Sequence, residues 1–365
     1  MAHRRRRAGR AARGYGLVPR FGITLTLSLI AATEGVLAFR LGVRRAPAAT
    51  AVASLAILAA AAFVAVRPAG ASRTGARLVE VKRGREEEYR VFDMNGARYL
   101  VADGTIHAVM DTLSGDCVQR GPAALQLLKL MRPERDSMLV LGLRGGTLPL
   151  QFARAGWRVR VVEPDRDLVE VSRRVAYKPG ELSLEVGDAR RFLRRDPGRH
   201  SVIVVDSFAD SYMAYPMCTR EFVAQLDQHL LPDGIVVVVV ETKGWDDPML
   251  ASLAATLRTR FAEVQALPTS EPPNAVGTIL LLATHAPLAL KDDDLPDPLK
   301  VLLNPDELWV VQQQTHAWLN RFEPKPKDAP VLTDDRSMIE VWSDQLNRAE
   351  RAELHEFFGP RGASW

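Results

Sequence analysis

The chain has 365 residues, 47% hydrophobic and 25% charged, enough for one large core with accessory segments. Its formal net charge of +4 conceals two opposite parts: residues 1–85 contain 16 Lys and Arg against Glu34 and Glu80, whereas residues 86–365 contain 32 basic and 42 acidic residues. The net negative charge of residues 86–365 argues against a nucleic-acid-binding protein, because phosphates require a basic face. An acidic part of this kind is better suited to binding a cationic ligand.

The N-terminal region combines basic and apolar segments. Residues 1–20 contain seven arginines and no acid, which predicts a basic cytoplasmic tail; a nucleic-acid-binding arm or a transit peptide is the alternative. Residues 21–66 contain two apolar stretches, 21–39 and 46–66, each approaching the length of a membrane-spanning helix. Since arginines flank both ends of this pair, we expect a helical hairpin in the cell membrane, with the tail and the folded part in the cytoplasm.

The next segments predict a linker and a small sheet. Residues 67–76 are rich in Gly, Ala and Arg and are interpreted as a linker. Over 77–118 polar and apolar residues alternate around Asn95-Gly96, a pair typical of a tight hairpin. We therefore predict an antiparallel sheet of three or four strands, followed by a helix at 123–131.

Strands and helices then alternate over residues 119–290. Val-, Ile- and Leu-rich runs such as 137–143, 200–208 and 234–242 are separated by amphipathic stretches of helical spacing. This pattern predicts an α/β domain with a doubly wound, mostly parallel, Rossmann-like sheet. Residues 291–365 form a loop-rich C-terminal extension. Cys117 and Cys218 show no metal-binding spacing, so no metal is expected.

Four successive predicted strands end in residues suited to a nucleotide-type ligand. Gly142, Gly145 and Gly146 follow the first strand, where the backbone must approach a ligand closely. Glu163 ends the second and can accept hydrogen bonds from ribose hydroxyls. Asp188 ends the third, as an adenine contact or simply as a helix N-cap, and Asp206 ends the fourth. The loop "GLRGGT" lacks the G-x-G-x-x-G pattern of dinucleotide dehydrogenases.

At this point the sequence resembles the spermidine synthase family, in particular its bacterial membrane-anchored members. The matching segments are "RYLVADGTIHAVMD", "VLGLRGGTLP", "VVEPD", "LEVGDARRFL", "IVVDSFADSYMAYPMCTREF", "LLPDGIVVVVV" and "VLTDDRSMIEVW", within residues 98–342. The resemblance implies the fold of class I S-adenosylmethionine-dependent transferases. It also implies transfer of an aminopropyl group from decarboxylated S-adenosylmethionine to a polyamine such as putrescine, and often a homodimer.

The resemblance assigns roles to residues of this chain. Asp206 would be the base or amine-orienting group, with Asp210 as the nearest second acid, because the family's second Asp position is Ala209 here. The adenosyl co-substrate would be held by Gly142, Gly145, Gly146, Glu163, Asp188 and Ala189. His107 stands where the family has a glutamine and is either a ligand contact or a surface residue.

Arg144 leaves the co-substrate open. A guanidinium would repel the cationic decarboxylated donor, whereas it could pair with the carboxylate of intact S-adenosylmethionine, unless it points to solvent. Arg144 thus favours the alternative of an S-adenosylmethionine-dependent methyltransferase. The changed amine-site residues favour a further alternative, a catalytically silent nucleoside-binding membrane-anchored domain. Asp334 and Asp335 lie at the pocket mouth, or else Thr333 or Asp334 caps a helix.

Overall fold

A computed structural model describes residues 75–343 and residue 346, except 86, 103–104, 135, 207, 210–211, 271–272, 275, 325–328 and 340. The first described element is a four-stranded sheet. Its strands, paired in chain order, are β1 (Arg77–Arg83), β2 (Glu88–Met94), β3 (Ala97–Ala102) and β4 (Thr105–Asp111). β2, β3 and β4 run antiparallel, which confirms the small antiparallel sheet.

The predicted helix at 123–131 is divided in two. Helix α1 (Arg120–Leu125) and helix α2 (Leu128–Met131) are separated by a tighter turn, in which the Leu127 amide donates to the Ala124 carbonyl at 3.0 Å.

Helices and strands then alternate as the sequence predicts, except that two short strands within residues 208–213 were not predicted. In chain order they are β5 (Ser137–Leu141), α3 (Thr147–Arg154), β6 (Arg158–Glu163), α4 (Arg166–Val175), β7 (Ser183–Val186), α5 (Ala189–Leu193), β8 (His200–Val205), β9 (Phe208–Ala209), β10 (Tyr212–Met213), α6 (Arg220–Gln228), β11 (Leu230–Thr242), α7 (Pro248–Leu257), β12 (Glu263–Pro268), β13 (Gly277–Thr284) and α8 (Pro305–Leu319). Short 3₁₀ turns lie at Tyr215–Met217, Asp292–Asp294 and Pro298–Val301.

Seven of these strands form the large sheet, in the order β12-β13-β11-β8-β5-β6-β7. The neighbours from β11 to β7 are parallel, whereas β13 runs antiparallel to both β11 and β12. The chain thus moves outward from β5 through β6 and β7 and then returns to β8 on the other side. The switch point, where ligands bind in such sheets, therefore lies between β5 and β8.

The core fills both faces of the large sheet. Along β5, Met138 and Val140 belong to one buried cluster, whereas Leu139 and Leu141 belong to the cluster on the opposite face. Successive strand residues point to opposite faces, so a strand that is buried on both sides has to be apolar throughout. The predicted α/β class with a mostly parallel sheet is confirmed.

The N-terminal predictions concern other residues. The basic tail at 1–20, the two apolar stretches within 21–66 and almost all of the linker at 67–76 lie outside the described residues. In the part of the chain that the structure describes, no helix combines the length and the apolar character needed to cross a bilayer.

Candidate active site

The strand ends that carry the predicted site meet at one edge of the large sheet. The amide of Gly142 donates to the carbonyl of Val162 at 2.9 Å, and the amide of Asp206 donates to the carbonyl of Leu141 at 2.9 Å. These bonds continue the ladder past β5 and β8, so the loops leave the sheet side by side at the switch point.

The loop after β5 bends through left-handed backbone conformations. The φ angles are 107° at Gly142, 84° at Gly145 and 83° at Gly146, which glycine adopts without strain. Arg144 has a φ of 39°, an uncommon value for a residue with a Cβ. The glycines therefore permit the turn, whereas the arginine adopts it under strain.

Two of the glycines permit close packing of the loop. A Cβ on Gly145 would lie 2.6 Å from the Cβ of Ala108 in β4, and a Cβ on Gly146 would lie 2.8 Å from the ring of Tyr177. The small sheet thus rests directly on the glycine loop. This contact positions β4 over the carboxyl edge of the large sheet.

Glu163, at the end of β6, is buried and holds the loop in place. Its Oε2 accepts a hydrogen bond from the Leu143 amide at 2.7 Å, and its Oε1 accepts one from the Asp165 amide at 2.8 Å. Burial raises the pKa of Glu163 to about 7, although both amide bonds oppose the rise. Each carboxylate oxygen has a second lone pair, so Glu163 can still accept from a ligand hydroxyl.

The third predicted strand end is more exposed. Asp188 caps α5, because its Oδ1 accepts a hydrogen bond from the Arg191 amide at 2.7 Å, and Ala189 is buried at the start of that helix. Asp188 is exposed. Asp210, the second predicted acid, lies outside the described residues.

A cavity of about 400 Å³ opens between the small sheet, α1 and the carboxyl edge of the large sheet. Most of its wall is apolar and comes from residues such as Val109, Leu125, Leu148 and Val239. Polar groups converge with this apolar wall, and such a combination is typical of small-molecule sites. The polar or charged lining residues are Thr105, His107, Gln119, Arg120, Arg144, Thr147, Asp206, Glu241, Thr269, Ser270 and Thr278.

Asp206 is the best-placed acid in this cavity. It is 7% exposed, and its Oδ1 has no hydrogen-bond partner among the described residues. The Nη1 atom of Arg144 lies 3.6 Å from this oxygen. Burial raises the pKa of Asp206 to about 6; the positive charge of Arg144 opposes the rise and the negative charge of Glu241 adds to it. Because buried polar atoms are nearly always bonded, this oxygen is suited to a ligand.

The Arg144 side chain points into the cavity, not to solvent. Its Nη1 lies 2.9 Å from Oε1 of Glu241, and its Nη2 donates to the carbonyl of Ile106 at 3.1 Å. Glu241 in turn accepts from the Thr278 hydroxyl at 3.2 and 3.1 Å. The guanidinium thus joins the ends of β5, β8 and β11, three neighbours in the sheet.

Glu241 is the charged residue that the sequence analysis missed. It stands near the end of β11, in "VVVVVET", and is 8% exposed. The signal was the same as for Asp206: an acid directly after an apolar parallel strand. Applying this rule to the fifth strand would have found it.

His107, on β4, is a buried cavity residue. It is 3% exposed, and neither ring nitrogen has a hydrogen-bond partner in the described part of the chain. Burial lowers its pKa to about 3, and the positive charge of Arg144 contributes to that fall. A neutral imidazole offers one donor and one acceptor to a ligand. The alternative of a surface strand residue is therefore wrong.

Asp334 lies away from this cavity. It forms a two-bond ion pair with Arg190 at 2.9 Å and accepts from the Thr219 hydroxyl at 2.7 Å, while the Thr333 hydroxyl accepts from the Arg336 amide at 3.1 Å. The segment therefore ties the chain to α5 and α6. Among the described residues, no group of three His, Cys, Asp or Glu side chains is arranged to hold a metal ion.

The chain is similar to proteins of polyamine metabolism. No protein-family model matches it. It is 34% identical over 141 residues to polyamine aminopropyltransferase 2 of Pseudomonas aeruginosa, which covers 36% of this chain and 40% of that protein. It is 22% identical over 219 residues to a probable polyamine aminopropyl transferase of Bifidobacterium longum, covering 56% and 48%. The matched regions thus span less than half the length of either relative.

A solved structure shows the same fold. A probable spermidine synthase from Corynebacterium glutamicum superposes with a TM-score of 0.56 at 17% identity, covering 72% of this chain and 98% of that one. The protein therefore shares the fold of that solved structure. The chain is thus similar in sequence to polyamine aminopropyltransferases and in fold to a probable spermidine synthase.

Proposed function

We propose that the protein transfers an aminopropyl group from decarboxylated S-adenosylmethionine to an amine of the polyamine type. The observation that carries this proposal is Asp206, a buried carboxylate in the cavity at the switch point, whose Oδ1 has an ion pair with Arg144 but no hydrogen-bond partner among the described residues. The names of the two curated relatives support the substrate class.

The reaction requires few groups from the protein. The amine nitrogen attacks the methylene carbon next to the sulfonium, the carbon–sulfur bond breaks, and its electron pair stays on sulfur as neutral methylthioadenosine leaves. Asp206 orients the amine and accepts the proton that the nitrogen loses, a role suited to a base whose pKa lies near neutrality. The apolar cavity wall excludes water that would compete with the amine.

The predicted co-substrate residues belong to the same proposal; the cavity lining includes their neighbours Leu143 and Arg144 but none of the predicted residues themselves. The adenosyl part occupies the region of the glycine loop, with Glu163 accepting from the ribose and Asp188 and Ala189 near the adenine. Asp210 remains the second predicted contact of the amine.

The test compares the wild-type chain with Asp206→Asn, supplied with decarboxylated S-adenosylmethionine and putrescine. Methylthioadenosine and spermidine are quantified by liquid chromatography and mass spectrometry. Because the amide cannot accept the proton, we expect turnover to fall by about a hundredfold or more. Calorimetry should show that methylthioadenosine still binds. Asp233→Asn is the control, since Asp233 is exposed near the start of β11, at the opposite edge of the sheet. Equal turnover of Asp206→Asn and wild type would contradict the proposal.

Methyl transfer from intact S-adenosylmethionine is a second candidate, which Arg144 favours. A carboxylate that could pair with its guanidinium exists only on the intact donor. The two reactions release different nucleosides: aminopropyl transfer releases methylthioadenosine, and methyl transfer releases S-adenosylhomocysteine.

A further inference from the structure

Arg144 is an unexpected residue in a cavity that binds a cationic donor. Its side chain is 11% exposed and is held between Glu241 and the Ile106 carbonyl, with Asp206 3.6 Å away. A substrate ammonium approaching Asp206 therefore meets a fixed positive charge of the protein at the same place.

The backbone of Arg144 indicates that this side chain is retained against strain. Its φ of 39° lies in the left-handed region, which is strained for a residue with a Cβ. Glycine would adopt the same conformation freely. Strained non-glycine residues cluster at functional sites, where the side chain has a role that a relaxed residue could not fill.

The two donors differ in net charge, and only the intact donor carries a group that can pair with Arg144. Asp206 and Glu241 supply two carboxylates and Arg144 one guanidinium, so these groups carry a single net negative charge when ionised. Arg120 adds a positive charge on the exposed rim of the cavity. Decarboxylated S-adenosylmethionine carries two positive charges, on sulfur and nitrogen. The intact donor has a carboxylate as well, so its net charge is a single positive one.

We propose that the protein also uses intact S-adenosylmethionine as a donor of its 3-amino-3-carboxypropyl chain, and that Arg144 is the specificity-determining residue that pairs with the donor carboxylate. The inference rests on the proposed function, alkylation of an amine with release of methylthioadenosine. The carboxylate joins Glu241 around the guanidinium, which forms directional, charge-assisted hydrogen bonds with carboxylates.

The bond changes parallel those of aminopropyl transfer. The amine nitrogen forms a bond to the chain carbon attached to sulfur, and that carbon–sulfur bond breaks. The electron pair remains on sulfur, which leaves as the neutral thioether of methylthioadenosine. The new ammonium loses one proton to Asp206, and the carboxylate of the chain is retained in the product. No oxidant, reductant or further reactant is needed.

The experiment supplies the full-length chain with putrescine and either intact or decarboxylated S-adenosylmethionine. Mass spectrometry identifies the alkylated amine and the released nucleoside. We expect the wild type to form the carboxypropyl-bearing amine and methylthioadenosine from the intact donor. Arg144→Gly should lower kcat/KM for the intact donor by about ten- to a hundredfold, the range for losing a charge-assisted hydrogen bond. Its effect on kcat/KM for the decarboxylated donor should be smaller, so the ratio of the two kcat/KM values should shift toward the decarboxylated donor.

Two further variants and one binding measurement sharpen the test. Arg144→Lys keeps the charge but loses the planar fork, so we expect it to fall between the wild type and Arg144→Gly. Arg154→Ala removes an arginine of α3 that pairs with Glu181, and should leave donor preference unchanged. Calorimetry on the wild type alone should show tighter binding of intact than of decarboxylated S-adenosylmethionine, a result that does not depend on any variant folding.

The experiment distinguishes failure of this inference from failure of the proposed function. Alkylation from the decarboxylated donor alone would overturn this inference and leave the proposed function intact. Release of S-adenosylhomocysteine in place of methylthioadenosine from the intact donor would overturn this inference, and no transfer from either donor would overturn both. An unchanged donor preference in Arg144→Gly would overturn the role of Arg144.

Discussion

The charge state of Asp206 depends on two neighbours of opposite sign. Burial raises its pKa to about 6; Arg144 restrains that rise, and Glu241 increases it. Near neutral pH the carboxyl group is thus mostly ionised and able to accept a proton. Its activity as a base is lost as pH falls through the pKa, because only the ionised form accepts a proton.

Glu241→Gln should therefore move the acidic limb of the pH–rate profile. Removing the negative charge lowers the pKa of Asp206, because it takes away a repulsion of the ionised form and leaves Arg144 without its closer partner. We expect the limb of kcat/KM to shift from about pH 6 to lower pH. The measurement is kcat/KM between about pH 4.5 and 8.

Glu323→Gln serves as the matched control for this shift. Glu323 is 56% exposed and pairs with Arg258, and it does not line the cavity, so its profile should match that of the wild type. If the acidic limb of the Glu241→Gln profile stays in place or moves to higher pH, Glu241 does not raise the pKa of Asp206.

The glycine loop and β4 act as one packed unit above the sheet. Gly145 has a φ of 84°, and its Cα faces Ala108 so closely that a Cβ would lie 2.6 Å from the Ala108 Cβ. The position thus has two separate requirements, a left-handed backbone and space for β4. Because His107 precedes Ala108, any displacement of β4 also displaces a wall of the cavity.

Gly145→Ala should destabilise the fold through both backbone strain and a steric clash with β4, whereas Gly180→Ala should do so through backbone strain alone. Gly180 has a φ of 91°, and no atom lies within 4 Å of the place that a Cβ would take, so alanine there adds backbone strain of about 1–2 kcal/mol. Alanine at Gly145 should add a further 1–3 kcal/mol or so from overpacking. Urea unfolding of the full chain, followed by circular dichroism, measures both free energies of unfolding.

A double-mutant cycle separates the clash from the strain. Ala108→Gly removes the methyl group that meets the new Cβ, so it should be less destabilising in the Gly145→Ala background than in the wild type. Additive effects would show that β4 does not press on the loop.

The sequence predicted the residues at the strand ends but not the contacts of Arg144 that connect these strand ends. Runs of Val, Ile and Leu followed by Gly142, Glu163 and Asp206 located three residues at one sheet edge, because the carboxyl ends of parallel strands share an edge. The same rule extends to Glu241. The order of strands depends on pairings between distant segments, which the resemblance implied and local periodicity does not encode.

The orientation of Arg144 could not be read from its own segment. Its partners, Ile106 and Glu241, lie 38 and 97 positions away along the chain. Similarly, the alternating pattern of β4 does not reveal that the His107 side faces a second sheet instead of water. Both residues acquire their environment only when the small sheet packs on the glycine loop.

The distribution of charge along the whole chain has its own consequence. Residues 1–85 carry 16 Lys and Arg against two acids, whereas the remainder has 32 basic and 42 acidic residues. We propose that residues 21–66 anchor the protein in the cell membrane and that the arginines on both flanks keep the transferase part in the cytoplasm. The inner leaflet is anionic, so it attracts the basic flanks and repels the acidic part that carries the cavity.

Leu55→Arg with Leu58→Arg should release the full-length protein from membranes. Each charge near the middle of the apolar stretch at 46–66 disfavours insertion by about 2.5–3.5 kcal/mol. The measurement is the fraction that remains in the membrane pellet after alkaline carbonate extraction, which we expect to be high for the wild type and low for this variant. The matched control places the same two substitutions at Leu113 and Leu303, which are 96% and 101% exposed in the described part of the chain, and should stay in the pellet. If alkaline carbonate extracts the wild-type chain from the membrane, the apolar stretches do not span the bilayer. The proposed transfer reaction would be unaffected, because it rests on the cavity alone.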